Sequence, residues 1–267
     1  MTMHRLRTAA VVGLAAATLA ACGGGGDGDT GDTASGISLV QDGTLTVCSD
    51  VPYKPFEDFD KSSPSGFSGF DIDLMTEIAK GLDLELAVQD SGFDGIQSGA
   101  ALAAGQCDIA ASAMTITDAR EKNLDFTEPY YDSKQSLLVP SGSDITTIDD
   151  LADKKVGVQQ GTTGADYAKE NVPEGTDLVS FPSDAELYPA IESGNVDAVL
   201  QDLPVNLDHT QGGKFEIVEE FDTDEHYGFA VKEEGSETLL EEVNSQLQKL
   251  RDDGTYDKLY DKYFATE

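Results

Sequence analysis

Arg120 is the residue best placed to hold an anion. It closes the stretch Ser112-Ala113-Met114-Thr115-Ile116-Thr117-Asp118-Ala119-Arg120, which adds two hydroxyls and free backbone N–H groups to a guanidinium. The planar fork of that guanidinium grips a carboxylate through two parallel hydrogen bonds. The plain alternative is a surface arginine paired with a nearby acid, and such pairs contribute little energy. A second loop, Gln159-Gln160-Gly161-Thr162-Thr163-Gly164-Ala165, brings the hydroxyls of Thr162 and Thr163 to an expected helix start. Amides at a helix N-terminus suit an anion, although glycine also fits an ordinary turn. No Gly-Lys-Ser/Thr follows, so this is not a Walker loop. Asp202 ends an apolar strand, either facing a ligand crevice or capping the next helix. His4, His209 and His226 show no metal spacing, and no Ser/His/Asp or Cys/His motif stands out. Neither a cofactor nor a metal is expected.

The elements that must carry these residues alternate. Cys107-Asp108-Ile109-Ala110-Ala111 reads as a buried strand leading into the Arg120 loop, and Thr117 followed by Asp118, Arg120 and Glu121 reads as a capped helix start. Strands are expected over residues 45–49, 82–88, 136–139, 155–158, 178–181, 197–202 and 226–231. Helices are expected from Phe70, from Phe93 through Leu102, after Gly164, over residues 184–193, and in two closing amphipathic stretches, 238–250 and 254–264. The order is βαβαβ, a break, βαβαβ and closing helices, which implies helix-covered, mostly parallel sheets. Crossings near residues 131–136 and 227–231 divide the chain into lobe 1 (37–132 and 229–267) and lobe 2 (133–228). Ligands favour the cleft between such lobes.

Composition limits the partners. The 267 residues carry 51 Asp and Glu against 17 Lys and Arg, a net charge of −34. Nucleic acid and anionic membrane surfaces repel such a surface, and adaptation to high salt fits it as well. Residues 1–21 read as a signal peptide, with Arg5 and Arg7 ahead of an apolar run too short to span a bilayer. Residues 22–36, rich in Gly, Asp, Thr and Ser, read as a flexible tether. Cys48 and Cys107 lie on or beside neighbouring strands; an exported location permits a bridge, and two buried free thiols are the other reading.

Leu19-Ala20-Ala21-Cys22 resembles the bacterial lipobox, which implies that Cys22 becomes a lipidated mature N-terminus. From about Leu45 to Phe264 the chain resembles a further family, the polar amino-acid-binding proteins of bacterial ABC importers. The motifs are Tyr53-Lys54-Pro55-Phe56-Glu57, Gly69-Phe70-Asp71-Ile72-Asp73-Leu74, Cys107-Asp108-Ile109-Ala110 with Thr115-Ile116-Thr117-Asp118-Ala119-Arg120, Phe126-Thr127-Glu128-Pro129-Tyr130-Tyr131, Val156-Gly157-Val158-Gln159-Gln160-Gly161-Thr162-Thr163 and Asp252-Asp253-Gly254-Thr255-Tyr256. The resemblance implies an α/β, two-lobed type II periplasmic-binding-protein fold: two mostly parallel sheets flanked by helices and joined by a two-strand hinge. It implies that Arg120, helped by Thr163 in the loop with Thr162, clamps a ligand α-carboxylate. Ser112 and Thr115, in the loop with Ala113 and Met114, would bind the amino-acid backbone. Asp202 would take the α-ammonium, and Tyr53 and Phe70 would sandwich the side chain. Asp50 stands where members that bind cationic or amide side chains carry an acid; Ala113 departs from members with serine there.

The expected function is therefore a lipid-anchored, extracytoplasmic receptor at the cell membrane, acting as a monomer. It would deliver a basic amino acid, or next glutamine, to an ABC permease. The rival expectations are an exported dehydratase-like enzyme of the same fold and a sensor module for a signalling receptor.

Overall fold

The computed structural model describes residues 36–265. The expected signal peptide, Cys22 and all of the expected tether but its last residue lie outside them. In chain order the elements are β1 (Thr44–Ser49), β2 (Asp58–Phe59), β3 (Phe67–Ser68), α1 (Phe70–Gly81), β4 (Glu85–Asp90), α2 (Phe93–Gln97), α3 (Ala100–Ala103), β5 (Ile109–Ala110), β6 (Leu124–Phe126) and β7 (Tyr131–Pro140). There follow β8 (Lys155–Gln159), α4 (Thr163–Asn171), β9 (Asp177–Phe181), α5 (Asp184–Glu192), β10 (Ala198–Asp202), α6 (Leu203–Thr210), β11 (Phe215–Tyr227), β12 (Ala230–Lys232), α7 (Glu237–Asp252) and α8 (Thr255–Phe264).

Two five-stranded sheets form two lobes, ordered β4-β1-β5-β12-β6 and β11-β7-β10-β8-β9. Both are mixed rather than mostly parallel. In the first, β1 runs parallel to β4 and β5, while β12 runs antiparallel to β5 and β6. In the second, β8 runs parallel to β9 and β10, while β7 runs antiparallel to β10 and β11. The long pair β7 and β11 starts at Tyr131↔Tyr227, beside a bridge from Thr115 to Tyr227, and so leads from one lobe into the other.

Hydrophobic side chains of α1 and α7 close the first sheet: Leu74, Met75, Ile78, Leu239, Val243 and Leu247 sit in one core with Leu45, Val47 and Ile109. Leu137, Val139, Val156, Val158, Ala198 and Leu200 form the corresponding core of the second sheet. Gly69 lets α1 begin close to the chain before it, because a Cβ there would fall 2.0 Å from the Phe56 carbonyl oxygen. Asp108 ties the chain's first described segment to this lobe by accepting the amides of Val40 and Thr46. Cys48 and Cys107 form a disulfide, with Cα atoms 5.7 Å apart.

Three local expectations change. The helix expected after Thr117 is only a 3-10 turn, Arg120–Lys122, because the chain must enter β6 at Leu124. The helix expected from Phe93 through Leu102 breaks into α2 and α3 at Gly99, whose φ of 78° is left-handed. The strand expected over residues 226–231 is instead the end of β11, a break at Gly228 and then β12. A Cβ on Gly228 would stand 2.9 Å from Ile116, so that break is also a close crossing with the Arg120 loop.

Candidate functional site

Nine of the eleven ligand-binding residues expected from sequence border one cleft between the lobes: Asp50, Tyr53, Ser112, Ala113, Thr115, Arg120, Thr162, Thr163 and Asp202. Phe93 and Gln159 complete its wall. Asp50, the Arg120 loop, Gln159 and Asp202 all follow or end strands β1, β5, β8 and β10, so the carboxyl edges of both sheets face the same opening.

Phe70 and Met114 do not join them. Phe70 is the first residue of α1 and is fully buried, in edge contact with Phe56, Tyr256 and Phe264. Met114 is also fully buried, in the cluster around Cys48 and Cys107. The aromatic rings facing the cleft are Tyr53 and Phe93. Phe93 opens α2 just beyond β4, so its place at a strand's carboxyl edge was the available sequence signal. Gln159 had the same signal at the end of β8.

Arg120 is 5% exposed. Its Nη1 donates to the Thr115 carbonyl at 2.6 Å and its Nη2 to the Gly161 carbonyl across the cleft at 3.1 Å. The guanidinium carbon lies 5.2 Å from the Phe93 ring centre, within cation–π range. Burial lowers its pKa, and the charges of Asp202 and Glu225 oppose that shift.

The loop carrying Ser112 and Ala113 rests on two fully buried acids. Ser112 Oγ accepts the Asp50 amide at 3.0 Å and donates to Glu57 Oε1 at 2.6 Å. Ala113 adopts φ 44°, a left-handed conformation unusual for a residue with a Cβ. Asp71 Oδ2 accepts its amide at 2.9 Å and the Tyr130 hydroxyl at 2.7 Å. Desolvation raises both acids, Asp71 to about 7 and Glu57 well above the usual range, with the Asp71 charge adding to the rise at Glu57.

Two further carboxyls face the cleft itself. Asp50 Oδ2 accepts from Gln159 Nε2, across the lobes, at 2.6 Å. Burial pushes the Asp50 pKa to about 7; the Gln159 bond lowers it, and the charges of Asp90 and Asp184 raise it further. Asp202 Oδ2 accepts the hydroxyls of Tyr53 at 2.7 Å and Tyr227 at 2.6 Å, while Oδ1 accepts from Gln135 at 2.5 Å. Its pKa rises to about 6, first through desolvation and then through the Glu225 charge. Asp202 makes no side-chain cap bond to α6. Thr162 caps α4, its Oγ1 accepting the Ala165 amide at 3.1 Å, and Thr163 is the first helical residue. The site thus sets one guanidinium against two cleft-facing carboxyls that lack a salt-bridge partner among the described residues. Among those residues no His, Cys, Asp and Glu cluster could hold a metal ion.

Two α/β lobes with their strand ends turned onto a shared cleft of opposed charges define a two-lobed solute-binding fold. The chain belongs to the bacterial extracellular solute-binding proteins, family 3, whose profile matches residues 45–266. It is 34% identical over 267 residues to a probable histidine-binding protein of Neisseria gonorrhoeae, covering 97% of this chain and 95% of that protein. It is also 34% identical over 213 residues to an ABC transporter glutamine-binding protein of Bacillus subtilis, covering 78% of this chain and 77% of that one. Among solved structures, an ancestral arginine-binding protein bound to arginine superimposes with a TM-score of 0.77 at 39% identity. That match covers 84% of this chain and 99% of the other.

Proposed function

We propose that this chain is the extracytoplasmic substrate-binding component of an ABC importer, which captures a basic amino acid between its lobes and delivers it to a membrane permease. The observation that carries the reading is the charge pattern of the cleft, where Arg120 faces Asp202 and Asp50. Arginine, lysine or protonated histidine supplies the complement: one carboxylate for Arg120, an α-ammonium for Asp202 and a side-chain cation for Asp50. Charge-assisted bonds in a desolvated cleft are the strong ones. Gln159, already donating to Asp50, is placed to orient that acid toward the side chain. Glutamine is the next candidate, since an amide can donate to the same carboxyl. Relatives with names for histidine and glutamine binding support an amino-acid ligand.

The mechanism is hinge closure, with ligand shifting an open–closed equilibrium. The moving bodies are residues 37–132 with 229–267 and residues 133–228, joined through β7 and β11. No chemical step is required, and the named relatives are binding proteins rather than enzymes. On this reading residues 1–21 are a signal peptide and Cys22 carries a lipid, so that a monomeric body works outside the membrane. Among the described residues no helix is long and apolar enough to cross a membrane.

A thermal-shift screen of the protein against all twenty amino acids tests the reading, because a ligand that binds only the folded state raises the melting temperature. The expected shifts come from arginine, lysine or histidine, and Arg120→Ala and Asp202→Ala are expected to lose them while still melting cooperatively. A shift with glutamine or an acidic residue alone would overturn the basic preference. No shift with any amino acid would overturn the receptor reading.

A further inference from the structure

Glu225 lines no part of the cleft, yet it touches the residues that do. It lies on β11, just after an irregularity in the pairing with β7 where Phe221 faces Gln135 and Glu225 faces Ser133. Asp224, immediately before it, has φ 52°, and this kink re-aims the next side chain inward. Glu225 is 6% exposed. Its Oε2 accepts from Thr115 Oγ1 at 2.6 Å and from Thr163 Oγ1 at 2.7 Å. Its Oε1 accepts from Gln135 Nε2 at 2.9 Å and from Thr223 Oγ1 at 2.8 Å. Each of the four neighbours carries a proton that it can donate to this side chain.

The origin of the two hydroxyls gives this acid its meaning. Thr115 belongs to the Arg120 loop of the first lobe, and Thr163 is the first residue of α4 in the second. Glu225 itself lies in the second lobe, so its bond to Thr163 anchors it within that lobe and its bond to Thr115 crosses to the first; the two threonine oxygens also stand 3.4 Å apart. The partner at α4 stands where the helix dipole favours negative charge. Gly164 permits the approach, because a Cβ there would come within 2.6 Å of Gln135 Oε1. Gln135 extends the bridge by donating to Asp202 Oδ1 as well. A threonine hydroxyl has a single proton, so a proton held by Glu225 is withheld from any other acceptor.

We propose that Glu225 is an interlobe latch: anchored by Thr163 in its own lobe, it holds Thr115 of the other lobe independently of ligand, and so sets the closed population that ligand must bias. This rests on the closure mechanism above. Affinity in such a system scales with the fraction of protein already competent to bind, so losing the latch weakens apparent affinity by the same factor that it lowers the closed population.

The test compares the full chain with Glu225→Gln, Thr115→Val and the double variant by small-angle X-ray scattering, with and without saturating arginine, and by titration calorimetry. Glutamine keeps the volume and loses the charged acceptor. Unliganded Glu225→Gln is expected to be more extended than the parent, to coincide with it once arginine is bound, and to bind arginine about tenfold more weakly, as for loss of one charge-assisted bond. Thr115→Val should reproduce the unliganded expansion, and the double variant should add nothing to it. Unliganded Glu225→Gln scattering that superimposes on the parent, unchanged arginine affinity, or expansions that add in the double variant would each overturn the latch. A parent protein that neither binds nor contracts with any amino acid strikes the receptor reading instead, and the unliganded comparison still decides the latch.

Discussion

At the residue scale, the role proposed for Asp50 would couple ligand capture to protons. Its folded pKa of about 7, and that of Asp202 of about 6, stand above the roughly 3.9 of an unfolded aspartate. Between about pH 4 and 7 the unfolded chain ionises at Asp50 while the folded one keeps its proton. The unfolded state then binds fewer protons, so this contribution to stability is greatest below about pH 4 and is lost as pH rises toward 7. Asp50→Asn is expected to flatten that part of the stability profile, measured by chemical denaturation from pH 4 to 8. On the proposed reading, arginine would favour the ionised form and have to displace the proton. Its affinity for the parent should therefore fall as pH drops below about 7, and the Asn variant should lack that step in calorimetry. Asp202 was legible in the sequence because it ends a strand, and Arg120 because it closes the loop that follows one. Glu225 was not, because six acids crowd residues 216–225 and nothing in their spacing marks the one that turns inward.

At the scale of elements, the disulfide joins β1 to the residues just before β5, beneath the two loops that bring Asp50 and Ser112 together. It closes a sequence separation of 59 residues, which in the chain-entropy account contributes roughly 4 kcal/mol. The Cys48→Ser, Cys107→Ser double variant is expected to lose about that much in denaturant unfolding. The parent should show the same loss under reducing conditions. The parallel units β1–α1–β4 and β8–α4–β9 were readable from apolar strands followed by periodic helices. β11 was hidden for a physical reason: it is an edge strand, and edge strands carry charge that discourages pairing with another chain. Its Glu and Asp residues look like a solvated loop until β7 is set beside it. Phe70 misled for a related reason, since an aromatic at a helix start reads the same whether it faces a cleft or, as here, α8.

At the scale of the whole molecule, a net charge of −34 makes the body repel itself. Raising salt from about 0.1 to 1 M shortens the screening length from about 10 to 3 Å, which relieves repulsion between separated surface acids. The melting temperature is expected to rise with added sodium chloride, and a scan showing no rise would remove the saline-habitat reading of this surface. The two-lobed plan itself was legible because the βαβαβ unit occurs twice. The mixed sheet order was not, because β12 reaches the first sheet only after the whole second lobe has been built.

The phenols at Asp202 have a consequence for how the protein reports on itself. The chain has nine tyrosines and no tryptophan, so its ultraviolet emission is tyrosine light alone. Two of those rings, Tyr53 and Tyr227, give their hydroxyl protons to one carboxylate. A photoexcited phenol is a far stronger acid than in its ground state, and a carboxylate at hydrogen-bond distance drains its glow by taking the proton. On the proposed reading, an ammonium at Asp202 would compete for that acceptor, so tyrosine emission is expected to rise as ligand fills the cleft, and a titration followed at the tyrosine band reads it without a label.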